Sequence, residues 1–367
     1  MKKITIIAGS ILAVIIIGIF LIDGRDNDTE ITKQRTKVGF ILNGEVDDLS
    51  WGQSHYEGMN KTAEELNLEV VYKENVPEDE QSMSYMEKLI DDGCEIIICN
   101  SFGYGEYELK VADEHPKVYF FHATGVTEAA NLSTYFGRIY QIRYLTGIVA
   151  GMQTESNEIG YVAAFPISEV NRGINAFTLG VRSVNPDAQV YVEWCNSWTD
   201  DDMAVEAANK LIEAHPEIDL FTVHSDSTSV YDFAEERGLW SIGYNMDNSE
   251  SFPNSFLTAA VWDWNKFYEP RIAECLKGKF QSKHYWLGAE TGVVSMAPLT
   301  DNVKDGIEEV VEEKRKLLES GTYDVFYGPI YDNKGNERVA GGESMSDEAM
   351  LNDFDWYVEG VVINGEE

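Results

Sequence analysis

From residue 37 onward, short apolar runs recur at regular intervals, separated by stretches whose apolar residues fall three and four apart. The runs at 38–42, 94–99, 159–164, 220–224 and 256–261 are nearly free of charge and predict strands buried on both faces. Weaker runs at 68–72, 117–122, 190–194, 240–244 and 292–297 predict further strands. Helical spacing is clearest over 78–92, with Met83, Met86, Leu89 and Ile90, and over 169–184, with Ile174, Phe177, Leu179 and Val181. Helices are also predicted over 58–66, 106–115, 135–154, 204–215, 229–237, the stretch ending at Lys277, and 303–320. A turn-rich hairpin is expected through 332–335. Strand and helix alternate throughout, which implies parallel sheets with helices on both faces. The pattern restarts near residue 159, so the chain makes two similar α/β lobes.

Each predicted strand ends in a polar or aromatic loop. These loops span 48–53, 100–105, 122–125, 165–171, 196–200, 224–227, 244–247 and 262–265. Open α/β sheets bind ligands in the crevice outside the carboxyl ends of their strands. Strand ends of two lobes facing one another make a cleft suited to capture by closure. The central loop is 47–58, where Trp51 stands between Ser50 and Gly52. A large aromatic among small residues either plugs a core or stacks on a ligand, and Trp198, again preceded by a serine, repeats the arrangement in the second lobe. Two such indoles across a cleft would hold a planar ligand, each stacked face contributing about 1–3 kcal/mol. Asp48, Gln53, Asn171 and Asn175 are candidates for reading the ring edge. Ser101, Phe102, His122 and Phe165 come from the other strand-end loops.

The chain has 367 residues, which suits two domains, and 44% apolar residues, which suits packed cores. A formal net charge of −36 argues against nucleic acid as a partner. The four cysteines show no zinc spacing and read as small core residues. Residues 1–22 carry Lys2 and Lys3 before an apolar run just long enough to span a bilayer. They are expected to form an uncleaved anchor with the acidic body outside, or alternatively a cleaved signal. Residues 23–36 are a polar tether.

The P-loop, G-x-S-x-G, H-E-x-x-H, C-x-x-C and glycine-rich dinucleotide motifs are all missing. Asp200, Asp201 and Asp202 read as a helix N-cap followed by first-turn acids, with a metal cluster as the alternative. His224 and Asp226 end a strand and read as polar cleft lining. No metal and no cofactor are expected.

Several segments together resemble the basic membrane protein family of ABC-transporter substrate-binding proteins, which includes purine-nucleoside receptor lipoproteins. The resemblance covers about residues 37–300. It is carried by Asp-x-Ser-aromatic-x-Gln-x-x-x-x-Gly over 48–58, YQIRYLTGIVAG over 140–151, IGYVAAF over 159–165 and GINAFTLGVRSV over 173–184. SWTD at 197–200, IGYNMD at 242–247 and LTAA at 257–260 extend it. It implies a type I periplasmic-binding-protein fold, with two doubly wound parallel-sheet lobes joined by a hinge. Its connectivity would assign 37–157 plus a return segment 256–285 to lobe one, and 158–255 plus 286–345 to lobe two. Residues 346–367 remain as an acidic, aromatic tail.

The resemblance places Trp51 and Trp198 at the family's two stacking aromatics and Asp48 in its acidic motif. Asn245 falls on an acid of the Gly-Val-Asp-x-Asp segment, with Asp247 retained. Trp262 falls on the lysine that nucleoside receptors use for ribose. Loss of that lysine and that acid suits a bare purine base or another flat heterocycle. The expected protein is an extracytoplasmic solute-binding protein that delivers its ligand to membrane ABC permease subunits, works as a monomer and makes no bonds. A ligand-sensing regulator of the same fold and a nucleoside hydrolase are the alternatives.

Overall fold

The computed structural model describes residues 35–365. The anchor expected over 1–22 and nearly all of the 23–36 tether lie outside them. Among the described residues no helix is long and apolar enough to cross a membrane.

The chain begins with β1 (Lys37–Ile41), α1 (Trp51–Leu66), β2 (Glu69–Lys73), α2 (Gln81–Asp91), β3 (Cys94–Cys99), α3 (Gly105–Glu114), β4 (Tyr119–Ala123) and β5 (Leu132–Gly137). It continues with α4 (Tyr140–Gln153), β6 (Glu158–Ala163), α5 (Ser168–Val184), β7 (Gln189–Trp194), α6 (Asp201–Ala214), β8 (Leu220–His224), α7 (Ser229–Arg237) and β9 (Trp240–Asn245). Then come β10 (Phe256–Trp262), α8 (Asn265–Leu276), β11 (His284–Leu287), β12 (Val294–Met296) and α9 (Ile307–Glu319). The final elements are β13 (Ile330–Tyr331), β14 (Glu337–Val339), α10 (Asp347–Asn352) and β15 (Val361–Ile363).

Two sheets carry the fold. The first is six-stranded, in the order β2-β1-β3-β4-β5-β11, and wholly parallel. The second is seven-stranded, in the order β15-β7-β6-β8-β9-β10-β12, and parallel except for its β10–β12 pair. The chain passes between the sheets three times: from β5 to β6, from β10 to β11 and from β11 to β12. These passages form the hinge of a type I periplasmic-binding-protein fold.

Several elements differ from the sequence expectation. The helix expected over 135–154 begins as β5, because Tyr135 and Phe136 sit in a wholly buried strand; α4 starts only at Tyr140. The return segment expected over 256–285 divides between the sheets. β10 pairs with β9 in the second sheet, whereas α8 packs on α1 and β11 pairs with β5 in the first. α4 likewise packs on α5. β11 and β15 escaped sequence reading because they are short edge strands, each paired on one side only.

The α4–α5 contact explains the two longest family-like segments. A β-carbon on Gly147 would lie 2.1 Å from the Phe177 carbonyl oxygen, and one on Gly180 would lie 2.0 Å from that of Tyr144. The backbones therefore touch where the glycines cross. Around them Leu145, Ile148, Val149, Phe177 and Val181 are fully buried, each side chain contributing about 1.5–3 kcal/mol. All four cysteines are buried and unbridged, as expected of small core residues.

Candidate functional site

The 47–58 stretch is not a long loop, because α1 begins at Trp51 itself. The carboxylate of Asp48 nucleates it. Oδ1 accepts the N–H of Ser50 at 2.8 Å and of Gln53 at 2.9 Å, and Oδ2 accepts that of Gly52 at 2.8 Å. Three of the orphan donors at a helix start are met by one side chain. Burial pushes the Asp48 carboxyl upward, and these three backbone donors oppose the rise. Glycine is required at position 52, where a β-carbon would sit 2.1 Å from the Glu45 carbonyl oxygen.

This cap fixes Trp51. Its Nε1 donates to the carbonyl oxygen of Asn100, at the end of β3, at 2.9 Å. Its ring meets His55 edge-on at 4.2 Å, and Trp262 and Trp264 edge-on at 5.5 Å each. Only 9% of the residue is exposed, and the exposed part lines a cavity of about 370 Å³ at the strand ends. That volume lies at the small end of ligand pockets, which run from roughly 300 to 1,000 Å³.

Trp198 lines the same cavity from the second lobe. Ser197 Oγ accepts the N–H groups of Thr199 at 3.2 Å and Asp200 at 3.0 Å, and Asp200 caps α6 through Met203 N at 3.0 Å. The Trp198 carbonyl accepts Asp226 N at 2.7 Å, joining two strand-end loops. Its indole packs against Phe165 at 5.8 Å and His224 at 6.5 Å.

The second-lobe wall is charged. Asp226 lines the cavity and accepts Asn245 Nδ2 at 2.7 Å. Burial, with the Asp48 charge second, drives its carboxyl well above the usual carboxylate range. Glu169 is pushed up by burial too, against the pull of Arg172 and Arg143. Behind the wall Arg143 donates to Val223 O at 2.7 Å and stacks under Tyr244 at 3.9 Å. His224 is fully buried, and burial first, then both arginines, push it well below the usual imidazole range. On the first-lobe side Asn100 is fully buried, its Oδ1 accepts Asn43 N at 3.1 Å, and its Nδ2 has no partner.

Of the candidates from sequence, Trp51, Trp198, Ser101, Phe102 and Asp226 line the cavity. The others lie outside its lining. Asp48 caps α1, and Gln53 Oε1 accepts Leu49 N. His122 is buried behind the wall, its Nε2 donating to Ser101 O at 2.9 Å. Phe165 backs Trp198. Asn171 and Asn175 hold the C-terminal segment. Asp247 stabilises a turn by accepting Ser249 N at 3.0 Å. Asn245 is committed at every polar atom: Nδ2 donates to Ser50 Oγ at 2.9 Å as well as to Asp226, and Oδ1 accepts Trp262 Nε1 at 2.8 Å. Trp262 stacks on Trp264 at 4.7 Å. Sequence reasoning passed over Asn43, Asn100, Glu169, Arg172, Tyr244 and Leu351 as lining residues. Asn100 opens one of the polar loops, whereas nothing in the sequence points to Leu351.

Fold and site together define a two-lobed binding protein whose strand ends enclose one small-molecule cavity. Residues 35–325 match the Bmp family, the PnrA-like ABC transporter substrate-binding proteins, and the chain belongs to that family. It is 36% identical over 331 residues to a purine-binding protein of Brucella abortus (strain 2308), covering 90% of this chain and 93% of that one. It is 34% identical over 330 residues to a putative ABC transporter glucose-binding protein of Haloferax volcanii, covering 89% of this chain and 81% of that one. A solute-binding protein of an ABC transporter system from Conexibacter woesei shares the fold at a TM-score of 0.67 and 20% identity, over 79% of this chain and 98% of that one. The protein is therefore a substrate-binding protein of an extracytoplasmic ABC-transporter family, not an enzyme.

Proposed function

We propose that the cavity captures a free purine base, with one ring face on Trp51 and the other on Trp198, for delivery by a monomer to ABC permease subunits in the membrane. The observation that carries this reading is the pair of indoles lining one cavity from facing strand ends. Such walls suit a flat π-system, and each stacked face is worth about 1–3 kcal/mol. The ring edge has partners of both kinds. Asp226 and Glu169 offer carboxyl oxygens, and the unpaired Nδ2 of buried Asn100 offers a donor. A buried donor without a partner is costly to leave unmet, which favours a ligand bearing ring nitrogens or a carbonyl.

A base is favoured over a nucleoside by the residues at the family's sugar-binding positions. Asn245 is fully buried with both amide donors committed to Ser50 and Asp226 and its oxygen to Trp262, Asp247 sits in a turn, and Trp262 is 7% exposed within an aromatic stack.

A thermal-shift panel of adenine, guanine, hypoxanthine, their nucleosides and glucose tests the reading. At one hundred times its Kd a ligand adds about 2.7 kcal/mol, so at least one base should raise the melting temperature by several degrees. A rise with glucose alone, or with none of the panel, contradicts it.

A further inference from the structure

The segment from Ser346 to Val358 is built into the wall of the ligand cavity. Ser346 Oγ caps α10 by accepting Ala349 N at 3.2 Å, and Leu351 on that helix lines the cavity together with Ile167 and Ser168. The backbone that follows is gripped by side chains of α5. Asn171 Nδ2 donates to Phe354 O at 2.9 Å, and Asn175 Nδ2 donates to Trp356 O at 2.8 Å. Asn175 Oδ1 in turn accepts Val358 N at 2.9 Å. An amide that both donates to and accepts from one backbone acts as a neighbouring strand would, so the segment is docked along its length. Phe354, Trp356 and Val358 are buried beneath it.

The same short helix is tied to the hinge. Arg138 lies in the passage between β5 and α4, and its guanidinium forks onto Asp347, Nη1 to Oδ1 at 2.9 Å and Nη2 to Oδ2 at 2.5 Å. It also stacks on Trp286 at 3.9 Å. Arg172, itself a cavity-lining residue, donates from Nη1 to Met350 O at 2.5 Å. Leu351 is thus held between a residue of the interlobe passage and a residue of the cavity wall. The match to the family covers residues 35–325, and this wall follows it in the chain.

We propose that residues 346–358 form a third wall of the ligand site and that Leu351 is a specificity-determining residue within it. Leu351 closes the cavity beside Ile167, so that a flat base fits and a base carrying ribose is disfavoured. The Arg138–Asp347 pair makes the seating of Leu351 depend on the position of the hinge. This inference rests on the purine-base reading of the cavity.

Titration calorimetry of the full chain with hypoxanthine, adenine and the two matching nucleosides tests it. The variants are Leu351→Ala, Leu351→Met and Asp347→Asn, each checked for an unchanged melting temperature without ligand. Leu351→Ala should weaken base binding about fivefold and narrow the base-to-nucleoside ratio by at least about fivefold, as expected when part of an apolar wall is removed. Leu351→Met, of similar volume, should restore the wild-type ratio. Asp347→Asn should weaken base binding about twofold to fivefold, in keeping with a half-exposed bidentate pair. If the wild type binds bases and all three variants match it in affinity and ratio, the third wall is overturned and the purine reading stands. If the wild type binds none of the four compounds, both fall.

Discussion

The indole Nε1 of Trp51 donates to the carbonyl oxygen of Asn100 at 2.9 Å, joining the first residue of α1 to the end of β3. One bond therefore aligns the two strand ends that form the first-lobe half of the cavity. With one edge held by Asn100 and the ring packed against His55 and Trp264, the indole is a rigid wall. A wall that does not need to be ordered on binding saves the side-chain entropy that a mobile aromatic would lose. The two roles open to Trp51 in the sequence, core packing and ligand platform, are compatible in this geometry.

Replacing Trp51 should therefore have two effects. Trp51→Ala should lower the unfolding free energy by about 3–5 kcal/mol, as for other buried aromatics, and weaken base binding at least tenfold. Trp51→Phe should keep most of the stacking surface and lose only the bond to Asn100, at about 1 kcal/mol. Urea unfolding and calorimetry on both variants check this; an apo stability left unchanged by Trp51→Ala would remove Trp51 from the core.

Trp198 should separate affinity from stability. It is only partly buried, and its indole packs on Phe165 and His224 at the cavity edge. Trp198→Ala should weaken base binding by about 1–3 kcal/mol while shifting the melting temperature by no more than about two degrees, the scale of a surface change.

Asn245 joins the lobes from the second sheet, with a left-handed backbone (φ 71°) and an amide bonded to Ser50, Asp226 and Trp262. Asn245→Ala strips the buried Ser50 and Trp262 and the cavity-lining Asp226 of a partner at once and should cost about 3 kcal/mol, measured by denaturant unfolding without ligand. Asn245→Asp keeps the shape but faces Asp226 with a second acid. It should be less stable at pH 8 than at pH 5, where protonation relieves the pair.

Buried His55 contributes a pH dependence of definite sign. His55 has no exposed surface, its Nδ1 is 2.5 Å from Tyr268 Oη, and burial holds its imidazole well below 6.5. Below about pH 6.5 the unfolded chain takes up a proton that the folded chain refuses, so folding stability falls as pH falls. The slope is at most about 1.4 kcal/mol per pH unit for this group. Glu108 and Asp226, whose carboxyls burial raises, act oppositely, losing stability as pH rises above the ordinary carboxylate range. His55→Gln removes one term only. Its stability deficit relative to wild type should shrink between pH 7.5 and pH 5.5 in urea unfolding; a constant deficit would mean that His55 titrates alike in the folded and unfolded chain, and a growing one that it is already protonated when folded.

Much of the fold was legible because buried parallel strands announce themselves as uninterrupted apolar runs. The runs at 94–99 and 220–224 coincide with β3 and β8 residue for residue. The elements that were missed obey weaker rules. β5 runs into α4 with only two residues between, so tyrosine and phenylalanine in the strand read as the start of the helix. The site was legible at its aromatic poles and much less so at its rim. Strand-end position brought Trp51, Ser101, Phe102 and Trp198 to one cavity, but a polar residue at a strand end serves equally well as a cap or a brace. Asp48 and Asn245 do so, as do Asn171 and Asn175 on the helix that follows β6, and only tertiary structure separates the uses. Leu351 reaches the cavity from a segment whose placement depends on side chains of α5 roughly 180 residues earlier in the chain, as the Asn171–Phe354 separation of 183 shows.

The most direct test of the central claim is calorimetric titration of the wild-type protein with a purine base and with its nucleoside under identical conditions. One-to-one binding of the base with a Kd in the micromolar range or below, at least tenfold tighter than the nucleoside, is the expected result. Equal or tighter binding of the nucleoside, or binding of glucose with no response to either purine, would contradict it.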